Sequence, residues 1–175
     1  MSISDLGSLG EFVSSVVVLI TLVYLAIQIR QNTHATRATS HHAITEALNE
    51  LNFTLATNDS AANLWQSGMK DRAALDDIQR DQFDALLRAY MHICDTMYYQ
   101  ALVGAGDHGL WKAEERYVGV VLTTKGGNEW WKENYSSISA DFRGAVDEII
   151  QRRLSSAPDQ LDALTERWSS PEPGN

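Results

Sequence analysis

The sequence predicts an all-α protein, one N-terminal transmembrane helix continuing into a cytoplasmic helical bundle domain. Three observations predict it. An uncharged apolar run fills residues 12–29, between Glu11 and Arg30. Further on, apolar residues recur at helical spacing in segments punctuated by Asn, Asp, Ser and Gly. No stretch alternates apolar and polar residues as a half-buried strand would. The chain divides accordingly into an anchor (residues 1–30), a helical domain (31–155) and a C-terminal tail (156–175) with a short helix expected from Leu161 to Trp168.

The anchor follows from length and charge. As a helix, the run Phe12–Ile29 reaches about 27 Å at roughly 1.5 Å per residue. A bilayer's hydrocarbon core is about 30 Å thick, and Leu9 and Gly10 extend the reach. The many β-branched residues would also suit a strand, but a strand so long and apolar would aggregate in water. A helix satisfies its own backbone in lipid. The competing reading is a core helix of a soluble protein, which fits poorly because the run is apolar all round. A cleaved signal peptide fits poorly too, since no Lys or Arg precedes the run and no small-x-small site closes it. Arg30 and Arg37 follow the span, so the positive-inside rule places the helical domain in the cytoplasm and the N-terminus outside the inner membrane.

Gly7, Ser14, Thr21 and Gln28 repeat every seven residues, and Ala35 and His42 continue the series. A seam of small and hydroxyl side chains lets two helices approach closely in lipid, and a period of seven suits left-handed packing. The alternative is that these residues simply face lipid.

Behind Arg30 no Pro or Gly occurs until Gly68, so one long helix is expected to run from the anchor to about Thr57, with Ala38, Ile44, Leu48, Leu51 and Leu55 as its apolar stripe. Asn58-Asp59-Ser60 then caps a short helix carrying Leu64, Trp65 and Met69. Asp76 and Gln79 have capping-box spacing for a third helix, whose apolar positions run from Ile78 to Leu102 before Gly104-Ala105-Gly106 stops it. Asp107 caps a fourth. Gly126-Gly127-Asn128 breaks the chain and opens a fifth with Trp130 and Trp131, and Ser139 caps a sixth.

Charge and composition exclude some functions. The formal net charge is −9, and only Asp5 and Glu11 fall within residues 1–29, which leaves −7 for the remainder. An acidic domain lacks the basic face that nucleic-acid phosphates require, so no nucleic-acid partner is expected. Cys94 stands alone, so there is no disulfide framework. No phosphate loop, Ser-centred elbow, Cys-x-x-Cys pair or His-Glu-x-x-His stretch occurs. The chain therefore reads as a non-enzyme with no cofactor.

One metal site is conceivable. His42 and Glu46 lie four apart on the first helix, with Glu50 extending their line, and His92 and Asp95 lie three apart on the third, around Cys94. Facing helices could assemble His42, Glu46, His92 and Asp95 into a four-ligand site. Against it, the Glu-x-x-His spacing of di-iron bundles is absent, and solvated histidines explain the pattern as well. Asp84, Arg88, His92 and Asp95 also form a polar line on the third helix, expected to be a charge-paired solvent face. Trp111, Trp130 and Trp131, with Tyr98, Tyr99, Tyr117 and Tyr135, are expected to be mainly core, an aromatic pocket or partner surface being the alternative. Trp130 and Trp131 are adjacent and cannot both point inward, so one of them is expected to be exposed or to pack on another chain or a lipid surface, which makes the pair interface candidates.

The stretch Tyr24-Leu25-Ala26-Ile27-Gln28-Ile29-Arg30-Gln31-Asn32-Thr33 resembles the signature of a family of uncharacterised bacterial single-pass membrane proteins. In that family the apolar helix ends in Tyr-Leu-x-x-Gln-Ile-Arg-x-Asn-Thr, a helical domain follows, and a Tyr-Tyr pair (here Tyr98-Tyr99) and a Trp-Trp pair (here Trp130-Trp131) come later. The resemblance covers most of residues 5–150 and implies the same architecture. It implies no activity. The expected partners are membrane lipid and either a second copy of the chain or the other subunits of a membrane complex. A membrane-tethered sensor of metal or a small ligand is the alternative.

Overall fold

The computed structural model describes residues 3–155, and these form helices joined by short connections, with no strand among them. Six α-helices follow in order: α1 (Ile3–Thr57), α2 (Asp59–Lys70), α3 (Asp77–Leu102), α4 (His108–Thr123), α5 (Lys125–Asn134) and α6 (Ala140–Ser155). Short 3-10 turns at Arg72–Ala74 and Tyr135–Ser137 precede α3 and α6. The expected Leu161–Trp168 helix lies outside the described residues.

Local side-chain caps set most of these boundaries. The Asn58 side chain accepts the Ala61 N–H at 3.1 Å, and α1 gives way to α2 there. Asp76 accepts the Gln79 N–H at 2.8 Å while the Gln79 side chain accepts the Asp76 N–H at 3.3 Å, so the capping box closes in both directions. Asp107 accepts the Gly109 N–H at 2.8 Å to open α4. The fifth helix begins earlier than its glycines suggest. Thr124 is its cap, accepting the Gly127 N–H at 3.0 Å, and both glycines fall in the first turn. Ser139 immediately precedes α6, and its hydroxyl donates to Asp95 at 2.7 Å, which ties the start of α6 to α3.

α1 is one unbroken helix of 55 residues, about 80 Å long at roughly 1.5 Å per residue. It has two parts. From Gly10 to Thr39 every side chain is exposed. Beyond that, Ile44 is buried and Leu48 and Leu51 pack against the core. Where α1 reaches the domain it is latched to the α3–α4 loop: the Arg37 guanidinium donates to the Gly104 carbonyl at 2.9 Å, and His41 lies 3.7 Å from Asp107.

The core centres on α3 and α4. Phe83, Leu87, Met91, Cys94 and Met97 recur three or four residues apart and form the buried face of α3. Val118 and Leu122 of α4, Trp130 of α5, and Phe142 and Val146 of α6 close over it. Tyr98, Trp111 and Phe142 pack as a triangle of rings with centroids 5.3–5.7 Å apart. The ends of α3 overhang this core. Ile78 and Leu102, expected on its apolar face, are exposed by 73% and 57%.

Two polar features fasten the layers. Arg72, only 6% exposed, grips Asp84 of α3 with two 2.7 Å hydrogen bonds and Glu133 of α5 with a 2.8 Å ion pair. Glu115 of α4 is buried and accepts from Lys112 at 3.0 Å and from Arg152 of α6. Burial would raise the Glu115 carboxyl, but the two cationic donors together outweigh it and hold the group below its usual range.

Candidate functional site

The anchor is the first candidate. Its most apolar 18-residue window has a mean hydropathy of 2.4, and none of that window is buried against the rest of the chain. A soluble core helix of this composition would be covered by its own domain. This one stands clear of it, and it is long and apolar enough to cross a membrane. Gly7, Ser14, Thr21 and Gln28 are all exposed along it. Two of them are occupied locally: the Thr21 hydroxyl donates to the Val17 carbonyl at 2.9 Å and the Gln28 amide to the Tyr24 hydroxyl at 2.8 Å. The seam therefore presents shape more than free hydrogen bonds.

The four residues considered for metal do not converge. Ile44 takes the inward position on α1, which leaves His42 and Glu46 on either side of it exposed. His92 is exposed on α3, and Asp95 is engaged by Ser139. Among the described residues no group of three or more His, Cys, Asp or Glu side chains is placed to hold a metal ion. Cys94 is fully buried, and burial pushes its thiol well above the usual range, so it is protonated and unreactive.

The polar line of α3 does not pair with itself as expected. Asp84 binds Arg72, Arg88 donates to Asn134 at 3.2 Å, and Asp95 accepts from Ser139. The line instead fastens α3 to the connections around it. The expected exposure of one of the paired tryptophans is also corrected. Trp130 is 0% and Trp131 4% exposed. A helix covered on one side buries one face, but α5 is wedged among α2, α4 and the Tyr135 turn, so both indoles turn inward. Trp131 donates to Asp147 of α6 at 3.1 Å, which satisfies its N–H. Neither residue is available as an interface.

A further candidate is a cleft of about 260 Å³ between α1 and the α2–α3–α4 layer, smaller than the open groove of about 1160 Å³ along α2 and the first half of α3. Leu48, Leu51, Asn52 and Leu55 of α1 form one side. Trp65 of α2, Tyr90 of α3, and Glu114 and Tyr117 of α4 form the other. Tyr90 stands edge-on to both other rings, with centroids 6.3 Å from Trp65 and 5.6 Å from Tyr117 and an interplanar angle of 85° in each case. Its hydroxyl donates to Glu114 at 2.7 Å. Burial is the largest cause that pushes the phenols of Tyr90 and Tyr117 above their usual range; Cys94 and then the Glu114 charge add to it at Tyr90, and the Glu114 charge at Tyr117, so both stay protonated at neutral pH. Glu114 is the only charged residue lining the cleft, and among the described residues it pairs with no cation. Along the sequence Trp65 stands out as an apolar position of its helix, whereas Glu114 does not stand out. Its spacing of three from Tyr117 is the local signal for a shared face.

Comparison with known proteins adds no relative. No family model, curated protein or solved structure matches this chain. The resemblance to bacterial single-pass proteins thus rests on the Tyr24–Thr33 pattern and the paired aromatics alone.

Proposed function

We propose that this chain is a bacterial inner-membrane protein whose helical domain serves assembly rather than catalysis, as a self-associating unit or as a subunit of a larger membrane complex. One observation carries the reading. The apolar, wholly exposed stretch from Gly10 and the first core helix of the domain belong to a single uninterrupted helix. An anchor continuous with the core fixes the domain to the membrane as a rigid extension, whereas a flexible linker would merely tether it. The Arg37–Gly104 and His41–Asp107 contacts support that junction. Arg30 and Arg37 favour a cytoplasmic domain, and the aromatic pairs with the Tyr24–Thr33 pattern favour membership of the single-pass family. A membrane-tethered small-ligand sensor is the second reading, and the aromatic cleft is the feature that favours it.

The anchor is tested by fractionation. The full chain should sediment with membranes and resist high salt and carbonate, and a protease outside spheroplasts should leave the domain uncut. Removing residues 1–30 should yield a soluble helical domain. A full-length protein that stays in solution without detergent would end this reading.

Self-association is tested through the seam. Ser14→Leu with Thr21→Leu replaces small side chains by bulky ones and raises apolarity, so insertion should be unharmed. Individual polar contacts in lipid are worth only about 0.6 kcal/mol, so close packing along several positions must act together. Crosslinked oligomer should fall in this pair and persist in the opposite-face control, Val18→Leu with Leu25→Ile. Equal oligomer in both would mean that the seam faces lipid.

A further inference from the structure

We infer that the cleft between α1 and α4 is a binding site for a small organic cation of the alkylated-ammonium class, with Trp65, Tyr90 and Tyr117 as its aromatic walls and Glu114 as its counter-charge. Three features of the cleft combine to select that chemistry. Aromatic faces carry negative quadrupole charge, and rings set at right angles to one another surround a rounded cation better than they clasp a flat group. The single formal charge at the cleft is negative, and among the described residues no Lys or Arg answers it. The opposite wall is three leucines of α1 with the uncharged Asn52 among them, a mainly apolar surface that favours alkyl groups over a hydrated metal ion or a primary ammonium.

Size narrows the ligand further. The cleft holds about 260 Å³, just under the roughly 300–1,000 Å³ of pockets for drug-sized molecules. A headgroup with three or four methyl substituents suits it. The Tyr90 hydroxyl is committed to Glu114, which keeps the carboxylate oriented toward the rings without neutralising it. Tyr117 is partly open to solvent and supplies the entry side, whereas Tyr90 is buried and forms the floor. Occupancy of this cleft does not depend on whether the anchors self-associate, so either reading can fail alone.

Choline serves as the probe. The full-length protein in an uncharged maltoside detergent is equilibrated by dialysis against labelled choline, with sodium chloride of equal ionic strength as the blank. Saturable binding of one choline per chain is expected. The neutral carbon isostere of choline, alike in shape, should bind roughly tenfold more weakly, the factor that a partly desolvated cation–π contact supplies. Glu114→Gln should weaken choline by a similar factor, since the amide still accepts from Tyr90 but carries no charge. Tyr117→Leu should do the same, and Tyr117→Phe, which keeps the ring, should bind nearly as wild type. Unchanged helicity and melting in each variant exclude unfolding as the cause. Absence of saturable binding in the wild type overturns the inference. So does equal affinity for the neutral isostere, or an equal loss in Tyr117→Phe and Tyr117→Leu.

Discussion

Arg72→Met should destabilise the domain by about 3–5 kcal/mol, measured by denaturant unfolding of the detergent-solubilised chain. The guanidinium is almost completely enclosed, and it makes two parallel 2.7 Å bonds to Asp84, whose side chain is itself only 15% exposed. Methionine preserves much of the volume and removes the charge. What remains is a carboxylate shielded from water with no cation beside it, and that uncompensated charge is the source of the loss. Arg72→Lys should recover only part, because an ammonium cannot reproduce a fork that matches both carboxylate oxygens. Glu133→Gln should cost far less, under about 1 kcal/mol, since that partner is mostly in water. The double change Arg72→Met with Asp84→Leu should restore most of the stability, as buried ion pairs are often replaceable by apolar pairs. If the double variant were as unstable as Arg72→Met alone, stranded charge would not be the cause, and Arg72 would be acting through its contact with Glu133 or its own packing.

Gly126→Ala should be of similar severity, about 3 kcal/mol or more, at the upper end of what overpacking costs. A Cβ at this position would lie 1.7 Å from the Gly68 carbonyl oxygen and 2.8 Å from its carbon, with the Arg72 nitrogen at 3.2 Å. These are backbone atoms, which no rotamer change can move. α2 and α5 would have to separate, and they carry Met69 and the two buried tryptophans that fill the space between them. Gly68 is tight in a second direction, toward α3, where a Cβ would meet the Phe83 ring at 2.1 Å. Gly144→Ala is the control. It sits within α6 with nothing within 4 Å of its Cβ position, so helix propensity alone should stabilise by about 0.5–1 kcal/mol. Opposite signs for the two substitutions in thermal unfolding are the expected result. A mild loss at Gly126 would show that the α2–α5 crossing has room to give.

These two sites differ in how they were hidden. Gly126 and Gly127 read along the chain as a break, because glycine's usual local meaning is a stop. Their actual role is to admit backbone: Gly126 admits that of α2 at Gly68, nearly sixty residues earlier, and Gly127 the Val121 carbonyl near the end of α4. Arg72 lies in a short polar connection between helices and gives no sign of burial, since its partners Asp84 and Glu133 are supplied by α3 and α5.

What the amino-acid sequence determined by itself is whatever depends on neighbours within about four residues or on composition alone. Asn58, Asp76 with Gln79, and Asp107 cap helices through bonds to N–H groups two or three residues on, so these boundaries were legible before any tertiary contact. A helix long and apolar enough to cross a membrane was legible because its apolarity runs all round it, independent of which way any face points. The tertiary structure decided everything that turns on facing. His42 and Glu46 could be placed on one helix face by spacing, but Ile44 takes the contact with the core and leaves them in water, apart from His92 and Asp95. Trp130 and Trp131 could be seen to point apart, yet whether the second direction met solvent or protein depended on α5 being covered on two sides. The cleft was out of reach for the same reason: Trp65, Tyr90, Glu114 and Tyr117 come from three helices whose relative rotation is set by the packing of the whole core.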